Sequence, residues 1–238
     1  MSNGLQALAN YTWSHSIDIA SSDAAVQVGV DKVDPRVDRG SSDFDIRHVL
    51  SGAVSCDIPA LRFGKLGNII LRNWSADSIF VTRSATPVNV ITGTVVFGVV
   101  GVVRPDLIPG VPLYVDNPAV AGGRRINRAA FSIPATQRQG SLGRNSLRGF
   151  SFSQVDLAVR RRFKLTEKVD LQLRTEFFNI FNHPNFADPV NNLQSGTFGQ
   201  STSMLGRSLG AGGINGGLSP LYQVGGPRSI QLALKLMW

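Results

Sequence analysis

The chain has 238 residues, of which 42% are apolar and 25 are glycine, and it holds two glutamates against 14 aspartates, a composition poor in strong helix formers. Its net charge of +8 comes mainly from 19 arginines, which are spread along the chain rather than clustered as in a nucleic-acid-binding surface. The single cysteine excludes an intrachain disulfide, and no apolar run reaches the roughly 18 residues of a membrane-spanning helix.

Alternation of apolar and polar residues with period 2 predicts β-strands that are longer than those of most soluble domains. The clearest case is the last nine residues, where Ile230, Leu232, Leu234, Leu236 and Trp238 alternate with more polar neighbours. Aromatic side chains stand near several predicted strand ends, as in the aromatic girdles of membrane barrels. The predicted strands are 5–13, 45–58, 69–83, 155–163, 169–177 and 230–238.

The connections between these strands alternate between short and long. Residues 62–68 and 164–168 form short turns, whereas 17–44, 84–149 and 183–228 are long and rich in Gly, Pro, Asn, Asp and Ser. Long alternating strands joined by short periplasmic turns and long extracellular loops are typical of outer-membrane barrels. The sequence therefore predicts an all-β fold: an antiparallel transmembrane β-barrel portion of about six to eight strands with long extracellular loops.

Several stretches carry a resemblance to a known family. In the last ninety residues these are 143–149 (GRNSLRG), 156–159 (DLAV), 171–186 (LQLRTEFFNIFNHPNF) and 230–238 (IQLALKLMW), and upstream they are 11–14, 45–48 and 124–127. They resemble the C-terminal barrel of TonB-dependent receptors, in particular the Oar-like group. The resemblance implies a cell outer-membrane location and active uptake of an unknown substrate. It also implies three partners: outer-membrane lipid and lipopolysaccharide, the barrel assembly machinery, and the TonB system.

The sequence departs from that family in two respects. A secretion signal, a plug domain and a TonB-contacting segment are not found, and residues 95–103 (VVFGVVGVV) are more apolar than a usual extracellular loop. Residues 1–238 are therefore expected to be the C-terminal portion of such a barrel, with TonB contact made through missing upstream regions. Two alternatives stay open: a truncated fragment that cannot transport, and a soluble basic β protein that binds polyanions.

The last strand is a candidate assembly signal. An exposed C-terminal strand can be captured by strand addition, and the alternating row ending in an aromatic residue resembles the signal read by the outer-membrane assembly machinery. An ordinary final strand is the alternative interpretation. The residues assigned to this signal are Ile230, Leu232, Leu234, Leu236 and Trp238.

Six charged residues on two neighbouring strands form a candidate lumen network. If Phe163 pairs with Val169, then Arg162 faces Asp170 and Asp156 faces Glu176. A catalytic carboxylate pair is the competing interpretation, but no nucleophile pattern accompanies it. The residues of the predicted network are Asp156, Arg160, Arg162, Asp170, Arg174 and Glu176.

Other candidate sites are weaker. The three histidines lack metal-ligand spacing, and the Gly-rich run 206–217 lacks the Lys-Ser/Thr of a phosphate loop. The arginine runs 124–125 and 160–162 are explained more simply by lipid phosphates at the membrane boundary than by nucleic acid. We therefore expect no catalytic residues, no metal, no cofactor, no enzymatic activity and no nucleic-acid partner.

Overall fold

The fold was analysed in a computed structural model of the chain. The structure describes residues 4–21, 34–58, 72–93, 95–96, 99–100, 103–136, 138–206 and 224–238. The expected short turn at 62–68 and all of the Gly-rich run except Gly206 lie outside the described residues.

Six long strands form one antiparallel sheet in which every strand pairs with its neighbours in the sequence. Five of them have 9 or 10 residues, which matches the roughly 9–11 residues of a tilted membrane-spanning strand, and the remaining one has 13. All six predicted strands are thus confirmed, with ends shifted by a few residues, while residues 69–71 of the third predicted strand lie outside the described residues. The strands are β1 (Leu5–Trp13), β2 (His48–Asp57), β3 (Trp74–Arg83), β4 (Phe152–Lys164), β5 (Asp170–Phe178) and β6 (Ser229–Met237).

The sheet is open. Within the described residues, β1 pairs with β2 alone and β6 pairs with β5 alone, so each leaves one edge of unpaired backbone groups. Open edges do not occur in the hydrocarbon of a bilayer, because each unpaired N–H or C=O there has no water to bind. The all-β, antiparallel prediction is confirmed, and the described strands are a portion of a barrel wall rather than a closed barrel.

Short strands in the long loops do not join this sheet. Residues 88–92 and 94–103 of the second loop, which could supply the seventh and eighth strands of the predicted six to eight, do not do so in their described part. Each contributes two-residue strands that pair locally. The local pairs are Ile17–Asp18 with Gly40–Ser41, Pro87–Val88 with Leu147–Arg148, Val95–Val96 with Val99–Val100, Asp106–Leu107 with Phe131–Ser132, and Tyr114–Asp116 with Arg124–Ile126.

Helical structure is confined to three single turns of 3₁₀ helix in the loops, among the described residues. No helix in this part of the chain has the length and apolar character needed to cross a bilayer. The turns are Pro35–Asp38, Ala121–Gly123 and Arg128–Ala130.

The buried apolar core lies in the loops, not on the sheet. The three long connections, residues 14–47, 84–151 and 179–228, all leave the same end of the sheet, and we call their described parts the loop cap. Apart from Phe152 at the first position of β4, every buried hydrophobic residue of the described chain belongs to this cap. The cap core consists of Val88, Val90, Ile126, Ala130, Phe131, Leu142, Leu147, Leu193 and Phe198.

The register between β4 and β5 differs from the prediction. Phe163 pairs with Leu171 and Lys164 with Asp170, so the expected pairing of Phe163 with Val169 is wrong by two positions. The turn explains the shift: the Leu165 N–H donates to the Val169 carbonyl, and the Thr166 hydroxyl accepts from the Val169 N–H. A shift of two residues keeps every side chain on its predicted face, because side chains alternate with period 2.

Candidate functional site: two sheet faces and a loop cavity

One face of the sheet is apolar across all six strands. The cross-strand pairs place on this face the odd positions of β1, β4 and β5 and the even positions of β2, β3 and β6. Leu232 and Leu234 on this face are 72% and 71% exposed. Nothing in the described chain covers this apolar face. Representative members are Leu5, Tyr11, Leu50, Val54, Phe80, Val155, Leu157, Val159, Leu171, Leu173, Ile230 and Leu236.

Glycine takes part in the packing of this face. Gly52 in β2 lies opposite Phe80 in β3, and a Cβ atom at position 52 would stand 2.5 Å from the Phe80 ring. The ring therefore occupies the space that any larger residue at position 52 would need.

Aromatic residues mark both ends of the apolar face. At the loop end, Tyr11 and Trp13 close β1, and the Tyr11 hydroxyl lies 2.8 Å from His48 Nδ1. At the turn end, Trp74 opens β3 and Phe163 stands one residue before the end of β4. Aromatic belts at the two membrane interfaces show this arrangement, with the apolar ring in lipid and the polar atom towards the headgroups.

The opposite, polar face carries all six residues of the predicted charge network. Asp156, Arg160 and Arg162 occupy even positions of β4, and the cross-strand pairs place Asp170, Arg174 and Glu176 of β5 on the same face.

The individual charge partners differ from those predicted. Arg162 lies opposite Gln172 rather than Asp170, and Glu176 lies opposite Ala158 rather than Asp156. Arg174 instead pairs with Glu176 on its own strand at 2.6 Å, so the expected cross-strand pairs are wrong because of the two-residue register shift. The role of this face as a lumen wall remains a prediction.

Sequence reasoning missed the contribution of β3 to the polar face. Asp77 accepts from the Ser55 hydroxyl at 2.5 Å and from Arg160 at 3.2 Å, so it links three strands. Asp156 accepts from the Gln154 amide and from the Asn179 N–H, and thereby ties β4 to the cap. The even spacing of Asp77 with Ser75 in the predicted strand 69–83 was the available signal.

The residues of the candidate assembly signal lie on the free edge of the sheet. Ile230, Leu232, Leu234 and Leu236 point to the apolar face of β6, and Trp238 directly follows the strand. The other side of β6 has no partner strand among the described residues. The geometry is compatible with capture by strand addition, while recognition by the assembly machinery remains a prediction.

Ion pairs join two of the loops, residues 14–47 and 84–151, while hydrogen bonds from Thr86 to Asp188 and from Asn191 to the Asn89 carbonyl join the second loop to the third. Arg104 is 2% exposed, its guanidinium lies 2.5 Å from Asp38, and it also donates to the carbonyls of Val37 and Leu142. Arg144 pairs with Asp18 and, at 3.2 Å, with Asp43. These pairs connect residues 66 or more positions apart, so their geometry is set by the folded loops. Removing one partner of such a pair leaves a buried charge, at a cost of about 3–5 kcal/mol.

Asp45 anchors the cap to the top of the sheet. Its fully buried carboxylate accepts from Arg148 at 2.6 Å, from Arg47 at 2.9 Å and from the Ser16 N–H at 2.9 Å. Burial raises the pKa of Asp45, but these hydrogen bonds outweigh it and hold the pKa well below its ordinary value. The pKa of Asp18 is lowered as well, since hydrogen bonds from Arg144 and Ser21 outweigh its burial. Both carboxylates are therefore charged at neutral pH.

A cavity of about 480 Å³ lies within the cap and is lined by all three loops. Its arginines, Arg104 and Arg144, are already engaged by aspartates, so the groups left to face a ligand are mainly acceptors. Asp188 receives one hydrogen bond, from Thr86 to Oδ1, and the buried side-chain oxygen of Asn89 receives none within the described chain. A wall of this kind and size suits a small ligand that carries hydroxyl or amine donors.

Comparisons with known proteins agree with this geometry. A family model described as "Outer membrane beta barrel domain" matches residues 1–210, which is most of the chain. A search of the curated proteins and a search of the solved structures gave no match. With its open antiparallel sheet, uncovered apolar face and one-sided long loops, the chain belongs to the outer membrane beta barrel domain family and is a protein of the cell outer membrane.

Proposed function

We propose that the chain forms part of the wall of a TonB-dependent transporter barrel that takes up a small substrate. The observation that carries the proposal is the open sheet. The six long strands that the structure describes, with an unpaired edge on each side in that part of the chain, cannot enclose a lumen, since the smallest known single-chain barrels use about eight strands. A wide barrel supplies partners for both edges and a wet interior for the charged polar face, and TonB-dependent transporters, with about 22 strands, are of that kind.

The cap cavity gives this barrel a place for first contact with the substrate. The long loops of an outer-membrane barrel are extracellular, so the cavity faces the outside of the cell. An ion pair with Arg144 holds Asp43, and hydrogen bonds with Thr86 and with the Asn89 carbonyl hold Asp188 and Asn191, so these acceptor groups are in place before a ligand arrives.

The remaining surfaces suggest the partners. The apolar face would contact outer-membrane lipid, with lipopolysaccharide at the loop end, and strand β6 would meet the assembly machinery. Energy coupling would come from the TonB system through regions other than the described strands. We expect no catalytic activity, no cofactor and no nucleic-acid partner, because Arg160, Arg174 and Glu176 of the polar face are already engaged in ion pairs.

Uptake by the cells in which the protein occurs tests the proposal. Wild-type cells and cells with the gene deleted would be compared for accumulation of labelled sugars, short peptides and metal chelates, each with and without a protonophore. The proposal predicts that deletion abolishes the accumulation of at least one compound and that the protonophore does the same. Accumulation that needs the gene but resists the protonophore would indicate a passive channel and contradict TonB dependence.

A truncated barrel wall that cannot transport is the second candidate, and the open sheet also favours it. Unpaired edges promote aggregation, and a six-stranded wall has no lumen of its own. The discriminating experiment expresses residues 1–238 alone in cells that lack the gene. We expect no energy-dependent uptake under these conditions, and uptake would show that these residues complete a barrel by themselves. A soluble polyanion-binding protein is disfavoured, because such a protein would cover its apolar face.

A further inference from the structure

The arginine run at residues 160–162 is divided between the two faces of the sheet. Arg160 and Arg162 lie on the polar face, whereas Arg161 pairs with Trp74 on one side and Leu173 on the other and therefore lies on the apolar face. Arg161 is the single charged residue (Lys, Arg, Asp or Glu) among the described strand residues of the apolar face. An arginine at this position faces lipid.

Two aromatic rings hold the Arg161 guanidinium. Its central carbon lies 5.3 Å from the centre of the Trp74 ring and 4.4 Å from the centre of the Phe163 ring. Both distances are within the range of a cation–π contact, which grows stronger where water is excluded. The two rings hold the cation against the sheet at the turn end of the apolar face.

The height of Arg161 on the sheet matches the headgroup layer. It stands three residues before the end of β4, which is roughly 10 Å along the strand, at the end with the short turn. A long side chain reaches the interface from this depth by extending towards the headgroups. Short turns of outer-membrane barrels face the periplasm, so the nearest lipid is that of the periplasmic leaflet.

The surroundings add positive charge. Arg72, Lys164 and Lys168 are exposed at the same end of the sheet, against Glu167 and Asp170. Basic residues beside a membrane surface attract anionic lipids, by roughly fivefold in affinity for each one near the surface. Charge and position therefore both select an anionic headgroup.

We propose that Arg161 binds the phosphate of an anionic phospholipid in the periplasmic leaflet, with Trp74 and Phe163 holding the guanidinium at headgroup height. The site anchors the turn end of the wall at a fixed depth in the bilayer. It rests on the outer-membrane location of the chain and not on the transport proposal, so each can fail without the other.

Lipid binding to the protein extracted from outer membranes in detergent tests the proposal. Short-chain phosphatidylglycerol or phosphatidylcholine is titrated, and bound lipids are counted by native mass spectrometry. Arg161→Gln removes the cation. Arg162→Gln, one residue along on the polar face, is the matched control. Arg161→Lys keeps the charge, and inorganic phosphate added as a competitor separates a lipid site from a free-anion site.

We expect wild type to prefer phosphatidylglycerol, Arg161→Gln to weaken its binding roughly fivefold, and Arg162→Gln and Arg161→Lys to stay within about twofold of wild type. Unchanged binding in Arg161→Gln, or equal loss in Arg162→Gln, would overturn the proposal, as would displacement by inorganic phosphate at equal concentration. Arg161→Gln could fail to fold, which heat-modifiable migration on gels would show. In that case wild type and Arg161→Lys decide: the proposal is refuted if wild type shows no preference for phosphatidylglycerol, or if Arg161→Lys loses binding.

Discussion

Replacing Leu157 by arginine should destabilise the membrane-embedded protein far more than the same change at Ala158. Leu157 lies in the middle of β4 on the apolar face, between Ser78 and Phe177, where an arginine would meet hydrocarbon. Its neighbour Ala158 lies on the polar face between Asp77 and Glu176, where an arginine gains two carboxylates. Leu157 suits this test better than Leu173, because Leu173 stands opposite Arg161 and an arginine there would add charge repulsion.

The expected cost of Leu157→Arg is about 2–4 kcal/mol near mid-membrane, which is roughly a 30- to 900-fold loss in the folding equilibrium constant. Ala158→Arg should change stability by less than about 1 kcal/mol. The assay is urea-dependent folding of the protein in phospholipid vesicles, followed by tryptophan fluorescence and heat-modifiable migration on gels. Equal costs at the two positions would refute the assignment of the faces, and a larger cost at Ala158 would reverse it.

Four further predictions concern the cap, the sheet and the solubility of the chain. Asp45→Asn should lower the free energy of unfolding of the cap by about 2–3 kcal/mol, because the carboxylate is buried while its arginine partners are part-exposed. Faster protease cleavage of the loops would report this loss, and Asp34→Asn, at an exposed ion pair, should have no measurable effect. Because the pKa of Asp45 is depressed in the folded cap, its charged carboxylate stabilises the cap fully above the pKa of an unfolded aspartate, about 4, and this stabilisation is lost as the pH falls below that value. Digestion by pepsin should therefore rise at low pH in wild type and change less in Asp45→Asn. Gly52→Val should destabilise the folded protein by about 1–3 kcal/mol through collision with the Phe80 ring, as measured by the same urea assay. Ala53→Val, on the other face, should cost under about 0.5 kcal/mol, and equal effects would contradict the packing described. Expressed in the cytoplasm, residues 1–238 should form inclusion bodies and refold only with detergent or lipid, and a monodisperse soluble monomer free of detergent would contradict the exposed apolar face.

Period-2 alternation was sufficient to predict the six strands and their two faces. The apolar face of each strand contacts lipid and the polar face contacts water, so the alternation of residues along the strand is enough to identify it. The register of β4 on β5 was not predictable in this way. It depends on which residue of the turn Leu165–Val169 supplies the closing hydrogen bonds, and a shift of two residues leaves the alternation unchanged.

The cap could not be predicted from the pattern of the loops. Its core and ion pairs join distant parts of the chain, as with Arg104 and Asp38, and the loops are irregular between these contacts. Composition rich in Gly, Pro, Asn and Asp indicated turns but not the partners of each side chain. The cavity among the loops, and with it the candidate contact site for substrate, follows only from the three-dimensional arrangement.

Lipid contact along one strand tests the membrane-wall account most directly. After replacement of the single native cysteine, Cys56, by serine, single cysteines at Leu157, Ala158, Val159 and Arg160 are labelled with a fluorophore, and quenching by brominated lipid is measured in the embedded protein. The account predicts strong quenching at Leu157 and Val159 and weak quenching at Ala158 and Arg160, since side chains alternate between the two faces. Uniform quenching, or none at any of the four positions, would contradict a strand with one face in lipid.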